Sequence, residues 1–183
     1  MKRIILGVLA AAVTGGAAIG VIHVTGSTAQ GLPAVGQVIP AGQRPRAPDV
    51  SDTTLTGQHL DVARLRGMSW CSTSGGRGAC PAGPRAPVLA RVAAETRYLG
   101  VRFAGIDIRE DAAAGLAFER LHHITYPSVS DPGDVIAARF GALAPAATPT
   151  TYILDGSGRI AWAWFGQTSY SQLELAVLEI ARP

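Results

Sequence analysis

Helices and strands alternate along most of this chain, which ends in a hairpin and a final helix. That order predicts an α/β fold: a central mixed sheet with helices on both faces. Three observations carry the expectation. Val101 to Ile108 is mainly apolar, as expected of a strand covered on both sides. Pro87 to Leu99 repeats apolar residues at helical spacing, with Val88, Leu89, Val92, Ala93 and Leu99 on one face. Thr150–Leu154 and Arg159–Trp164 are two strand-like runs joined by Asp155-Gly156-Ser157-Gly158, a hairpin connection.

The elements follow in order. Lys2-Arg3 precedes Ile4 to Ile22, a stretch without a charged residue. A helix needs about 20 apolar residues to span a bilayer, so residues 1–29 are expected to be a membrane anchor or a cleaved signal peptide. The basic pair holds the N-terminus inside and sends the rest out. Ser27-Thr28-Ala29 has the small residues that cleavage requires, and no cysteine follows for a lipid anchor. Residues 30–46, with Pro33, Pro40 and Pro45, read as a flexible linker, and residues 47–183 as the folded domain.

Within that domain, Thr53–Leu55 and His59–Val62 flank Thr56-Gly57-Gln58 as a small hairpin. The helix after Pro87 ends at Gly100. A second helix runs from Asp111 to about Leu121, a third covers Val135–Phe140, and Ser171–Ile180 closes the chain. The domain has a one-domain length, and 48% hydrophobic residues are ample for a core. A net charge of +3 with no basic cluster excludes a nucleic-acid footprint. His122-His123 has no Cys or carboxylate at ligand spacing, so no metal site is expected. Trp162 and Trp164 share one strand face and read as packing residues. The Asp155–Gly158 turn is no phosphate loop, because no helix follows its glycines.

Several phrases then agree in order and spacing with one family. A-P-D-V from Ala47, A-R-L-R-G from Ala63, P-V-L-A-R-V-A from Pro87 and G-V-R-F-A-G-I-D-I-R-E from Gly100 all match. So do T-Y-P-S-V-S-D-P from Thr125 and T-P-T-T-Y-I-L-D-G-S-G-R-I from Thr148. From Ala47 onward the chain resembles the extracytoplasmic, thioredoxin-like thiol-disulfide oxidoreductases of the TlpA/ResA type, within the redoxin or AhpC/TSA-like superfamily. The resemblance implies a thioredoxin-like fold and a cis peptide before Pro149. It also implies that Thr148 and Pro149 present backbone to a substrate peptide. Its implied partners are exported thiol proteins such as apocytochrome c and a membrane electron donor, with no metal or organic cofactor.

The family's chemistry needs W-C-x-x-C at the end of the central strand, where a helix N-terminus turns the first thiol into a thiolate. The chain instead offers only Cys71 and Cys80, spaced C-x8-C. From Ser69 to Ala86 there is no Val, Ile, Leu, Phe, Tyr, Asp, Glu, Lys, Asn or Gln, and every residue can be encoded with G or C at the second codon base. A GC-rich gene read one base out of phase produces this bias. Regrouping the bases from Gly67-Met68, with TCN codons for serine, an AGR codon for Arg85 and the free first bases chosen among those allowed, permits H-V-V-V-L-N-V-W-G-S-W-C-V-P-C-R-A-E, running on into A-P-V-L-A. Its cysteines fall at Ala79 and Ala82.

As printed, the central strand lacks several large side chains. Each such loss costs about 2–5 kcal/mol against a total stability of about 5–15 kcal/mol, so a marginal domain is expected. Cys71 and Cys80 are the candidate thiols of the printed chain, and incidental thiols on the shifted-frame reading. Two rivals accompany the oxidoreductase reading. One is a catalytically inactive thioredoxin-like binding module, and the other is a peroxiredoxin-like peroxidase, which requires a lone cysteine lead that neither frame supplies.

Overall fold

The computed structural model describes residues 36–62, 68–73, 86–109 and 111–181, with the backbone alone for 68–73. Its main sheet has five strands in the order β5-β4-β3-β6-β7. These are β3 (Met68–Thr73), β4 (Arg102–Ile108), β5 (Ser128–Asp131), β6 (Thr150–Leu154) and β7 (Ile160–Phe165). β4 runs parallel to both β3 and β5, while β6 is antiparallel to β3 and β7. The sheet is therefore mixed, with helices on both faces, as the sequence leads one to expect.

Handedness sorts the helices. The crossovers β3–α1–β4 and β4–α2–β5 step the same way across the sheet, so right-handed connections set α1 (Ala86–Glu95) and α2 (Ala112–Leu121) on one face. The return from β5 to β6 carries α3 (Val135–Ala138) to the other face. Side chains follow. Leu89 and Val92 of α1 and Leu173 and Val177 of α4 (Tyr170–Ile180) pack with Phe103, Ile153 and Trp162 in one apolar cluster. Ile136, Ala137 and Phe140 pack with Ala104, Ile106, Ile108 and Tyr152 in the other. The alternation of Phe103 and Ala104 to opposite clusters is the two-residue period of a strand buried on both faces.

The small hairpin forms with shifted bounds. β1 (Ser51–Thr53) and β2 (His59–Asp61) pair as a separate two-stranded sheet about Gly57, whose φ of +81° suits a glycine. The helix expected over Pro87–Leu99 is α1 followed by a 3-10 turn at Arg97–Leu99, ended by Gly100 in the left-handed region. Asp111 caps α2, accepting from the Ala114 N–H, and Ser169 with Gln172 forms a capping box on α4. Trp162 and Trp164 stack at 6.0 Å, on the shared face expected.

Two parts differ from expectation. β5 was not anticipated as a strand: Ser128-Val129-Ser130-Asp131 is too short and polar to announce itself, and pairing with β4 makes it one. Residues 36–46, expected as part of a linker, lie instead along β7. Gly36 and Ile39 donate to the Ala163 and Ala161 carbonyls at 2.9 and 2.7 Å. Ile160 donates to Pro45 and Ala47 to Gly158, and Arg44 pairs with Asp155 at 3.0 Å. Ile39 is 3% exposed. Composition suggested a tether, but proline and glycine also suit a strap that follows a sheet edge without a regular ladder. Among the described residues no helix is long and apolar enough to cross a membrane, and the run Ile4–Ile22 lies outside them.

Candidate functional site

The site is the end of the sheet to which β3 points. Its last residue, Thr73, is in register with Asp107 of β4, and Ser72 with Thr150 of β6. Beyond Thr73 the chain leads on to α1. The C-terminal ends of parallel strands in an α/β sheet are where backbone groups and helix starts converge, so this edge is the natural place for chemistry.

On the β6 side the Thr148–Pro149 peptide is cis, as the resemblance implies. Pro149 is buried and Thr148 partly exposed. The turn before β6 is pinned on both sides: Gly166 donates to the Pro149 carbonyl at 2.7 Å, and the Thr150 hydroxyl donates to the Ala147 carbonyl. Thr150 and Thr151 are 0% and 1% exposed, so this strand start is fixed in the core.

On the β4 side stands a residue that the sequence reading passed over. Asp107 is 4% exposed, a carboxylate among the buried residues of β4. Its signal was present as one acidic residue inside the Val101–Ile108 run. The first turns of α2 close over it: a Cβ on Gly115 would stand 2.2 Å from Asp107 Oδ2 and 2.9 Å from Leu55 Cδ1. One turn further, Glu119 is half-buried, and that burial raises its pKa against the opposing hydrogen bond of Ser128. Ser128 itself has room because its neighbour across the ladder is Gly105, where a Cβ would meet Ser128 Oγ at 2.2 Å. Past the ends of β4 and β5, Arg109 and Asp134 both adopt left-handed backbone and pair through Nε and Oδ2 at 2.6 Å.

The expected thiols are placed only in part. Cys71 lies within β3, in register with Gly105 and Thr151. Cys80, and the Ala79 and Ala82 positions of the shifted frame, lie outside the described residues. The structure thus brings together the end of β3, Asp107 and the Thr148–Pro149 turn. His122 ends α2 as its C-cap residue, and among the described residues no group of three His, Cys, Asp or Glu side chains is arranged for a metal.

Known proteins match this frame. The model of the AhpC/TSA family matches residues 44–163. A secreted disulfide oxidoreductase of Mycobacterium tuberculosis, described as homologous to DsbE of E. coli, superimposes with a TM-score of 0.61 at 25% identity, covering 72% of this chain and 96% of its own. A secreted thiol-disulfide isomerase from Corynebacterium glutamicum gives 0.71 at 20% identity, covering 79% and 90%. A thiol:disulfide interchange protein of the thioredoxin family from Chlorobium tepidum gives 0.67 at 20% identity, covering 76% and 97%. No curated protein matches significantly. With its family model spanning most of the domain and its sheet closed by a cis-proline turn, the chain belongs to the AhpC/TSA family and has a thioredoxin-like fold.

Proposed function

We propose that the functional form of this protein carries out thiol-disulfide exchange on exported proteins, of the cytochrome c maturation type. The observation that carries the reading is the end of β3, flanked by Asp107 and by the cis Thr148–Pro149 turn and leading on to α1. A thiol at that helix start gains from the helix dipole and free N–H groups, which favour the thiolate. In the exchange, the first thiolate attacks one sulfur of a substrate disulfide and releases the other as a thiol. The second thiolate then attacks the mixed disulfide, leaving the enzyme oxidised and the substrate reduced. Thr148 and Pro149 offer backbone to the substrate chain. A membrane donor restores the dithiol.

An extracytoplasmic location accords with the secreted relatives from Mycobacterium tuberculosis and Corynebacterium glutamicum and with the apolar run behind Lys2-Arg3, which serves as anchor or signal. The missing dithiol is assigned to a shifted reading frame. The alternative frame reads H-V-V-V-L-N across Met68–Thr73, and a strand between β4 and β6 calls for apolar residues like its central V-V-V-L on both faces. It then supplies W-C-V-P-C ahead of α1.

Two measurements test this. Sequencing the DNA from codon 67 to codon 86 should reveal the shift; an unbroken frame that encodes the printed residues refutes it. Insulin reduction with the chain carrying W-C-V-P-C should show turnover. The second reading, a catalytically inactive binding module, rests on the eight residues that separate Cys71 from Cys80 in the printed chain. It requires that the printed chain bind an unfolded thiol peptide without turnover.

A further inference from the structure

The end of the sheet away from the site carries apolar side chains that the fold leaves in water. α1 and the turn at Arg97–Leu99 lead from the end of β3 to the start of β4, and α2 leads from the end of β4 to the start of β5. Because β4 and β5 run parallel, both connections finish at the same end, opposite the Thr148–Pro149 turn. The stretches that follow them are packed together: the Phe103 and Tyr126 rings stand 5.8 Å apart, with Val101 in the same buried cluster. Flanking this seam, Tyr98 is 81% exposed, Leu121 72% and Leu99 39%. They are three of the five large apolar side chains exposed among the described residues. The charge beside them has one sign. Arg97, Arg102 and Arg120 are exposed, and residues 97–106 contain no carboxylate. From Ala112 to Pro127 the one carboxylate is Glu119, half-buried and bonded to Ser128. Glu95, just before the first stretch, is engaged by Arg91 and Tyr170. Arg120 in the last turn of α2 also suits the helix dipole, but a dipole gives Leu121 no reason to stand in water next to it.

We propose that this end of the domain rests on an anionic lipid surface, with Tyr98, Leu99 and Leu121 entering the interface and Arg97, Arg102 and Arg120 meeting headgroup phosphates. A tyrosine ring has an apolar body and a polar tip, which suits the headgroup level. Arginine keeps its charged head among phosphates while its stem lies along apolar surface. Anionic lipids attract such a basic edge, and the apolar area buried in the interface adds to the attraction. The contact is weak for a free domain, but a chain held at the membrane by its N-terminal run meets the surface at high effective concentration. The end of β3 and the Thr148–Pro149 turn then face away from the bilayer, open to exported substrate chains. The contact rests on residues 1–29 directing the chain to a membrane, and not on its thiols.

The test reconstitutes the full chain into phosphatidylcholine vesicles, with and without phosphatidylglycerol, in which brominated lipid quenches tryptophan at the interface. Three single variants report: Tyr98→Trp and Leu121→Trp on the docking face, and Leu175→Trp, exposed on α4 beside Gly36 and Trp164. Relative to the unsubstituted chain, the added fluorescence of Tyr98→Trp and Leu121→Trp should be quenched in the anionic vesicles, and that of Leu175→Trp should not. Adding Arg97→Gln/Arg120→Gln to Tyr98→Trp should lower the ratio of docked to undocked chain by about tenfold or more. Raising the salt concentration should act in the same direction. Equal quenching of all three variants overturns the proposal, as does no quenching of Tyr98→Trp or Leu121→Trp, or quenching unchanged when phosphatidylglycerol is left out. A dimer in detergent that Leu121→Asp dissolves assigns this face to a second copy of the chain and overturns it too. Cosedimentation with the phosphatidylcholine vesicles reports anchoring separately: a chain that stays in solution refutes the anchor, while quenching in the anionic vesicles still decides the docking face.

Discussion

Replacing Gly115 with alanine sets two effects of known size against each other. In a helix interior the change from glycine to alanine is worth about 1 kcal/mol in favour of the variant. Against that gain, the new methyl would stand 2.2 Å from Asp107 Oδ2, 3.0 Å from its Cγ and 2.9 Å from Leu55 Cδ1. Such distances force α2 outward or turn a buried carboxylate from its place, and overpacking of this kind costs about 1–3 kcal/mol. Unrelieved contact with a carboxylate in the core places the cost at the upper end, so a net loss of about 1–2 kcal/mol is expected. Guanidinium denaturation followed by circular dichroism measures it. Gly42→Ala is the control: no atom lies within 4 Å of the new Cβ, and its stability should stay within about 0.5 kcal/mol of the parent. Asp107→Ala should relieve the clash, so a double-mutant cycle should give a coupling of about 0.5–3 kcal/mol. A Gly115→Ala chain that unfolds at the same or a higher denaturant concentration than the parent refutes the close seating of α2 over Asp107.

Three further outcomes follow from the same contacts. Burial tends to raise the pKa of Asp155, but the hydrogen bonds from Ser157, the Arg159 N–H and Arg44 outweigh it and hold the carboxyl at about 2. Its folded value lies below the ordinary one near 4, so its stabilisation is complete above pH 4 and disappears as the pH falls toward 2. Asp155→Asn should flatten the stability profile in that window and lower stability at neutral pH by about 1 kcal/mol. Glu119 has the opposite sign: its raised pKa means that the native state is penalised as the pH climbs past the ordinary carboxyl value, so Glu119→Gln should remove a decline in stability between weakly acidic and neutral pH. Ser169→Ala deletes the capping box of α4 and should cost about 1 kcal/mol by thermal melting.

Much of the fold is legible because it rests on local patterns. The helical spacing at Pro87–Leu99, the apolar run at Val101–Ile108 and the Asp155–Gly158 turn each express one element's own physics, and each element forms where its pattern stands. The elements that escape notice are the ones whose identity depends on a neighbour. Ser128–Asp131 has no strand character until β4 pairs with it, and Gly36–Arg46 reads as a tether until β7 gives it carbonyls to bind. The site divides in the same way. Thr148 and Pro149 are readable through the family phrase that contains them. Asp107 looks like a stray charge in a strand, and only the approach of Gly115 shows that a helix seals it in.

By itself the sequence determined the order of strands and helices, the closing hairpin and the place of the cis-proline, because side-chain period, turn residues and a recognisable phrase are all written along the chain. It also exposed the absence of a vicinal dithiol between the central strand and the first helix. Tertiary structure alone decided which residues meet at the end of β3, which carboxylate lies under α2, and that the strap closes the β7 edge. Those outcomes depend on groups far apart in sequence satisfying one another's packing and hydrogen bonds, and no local pattern encodes such a partnership.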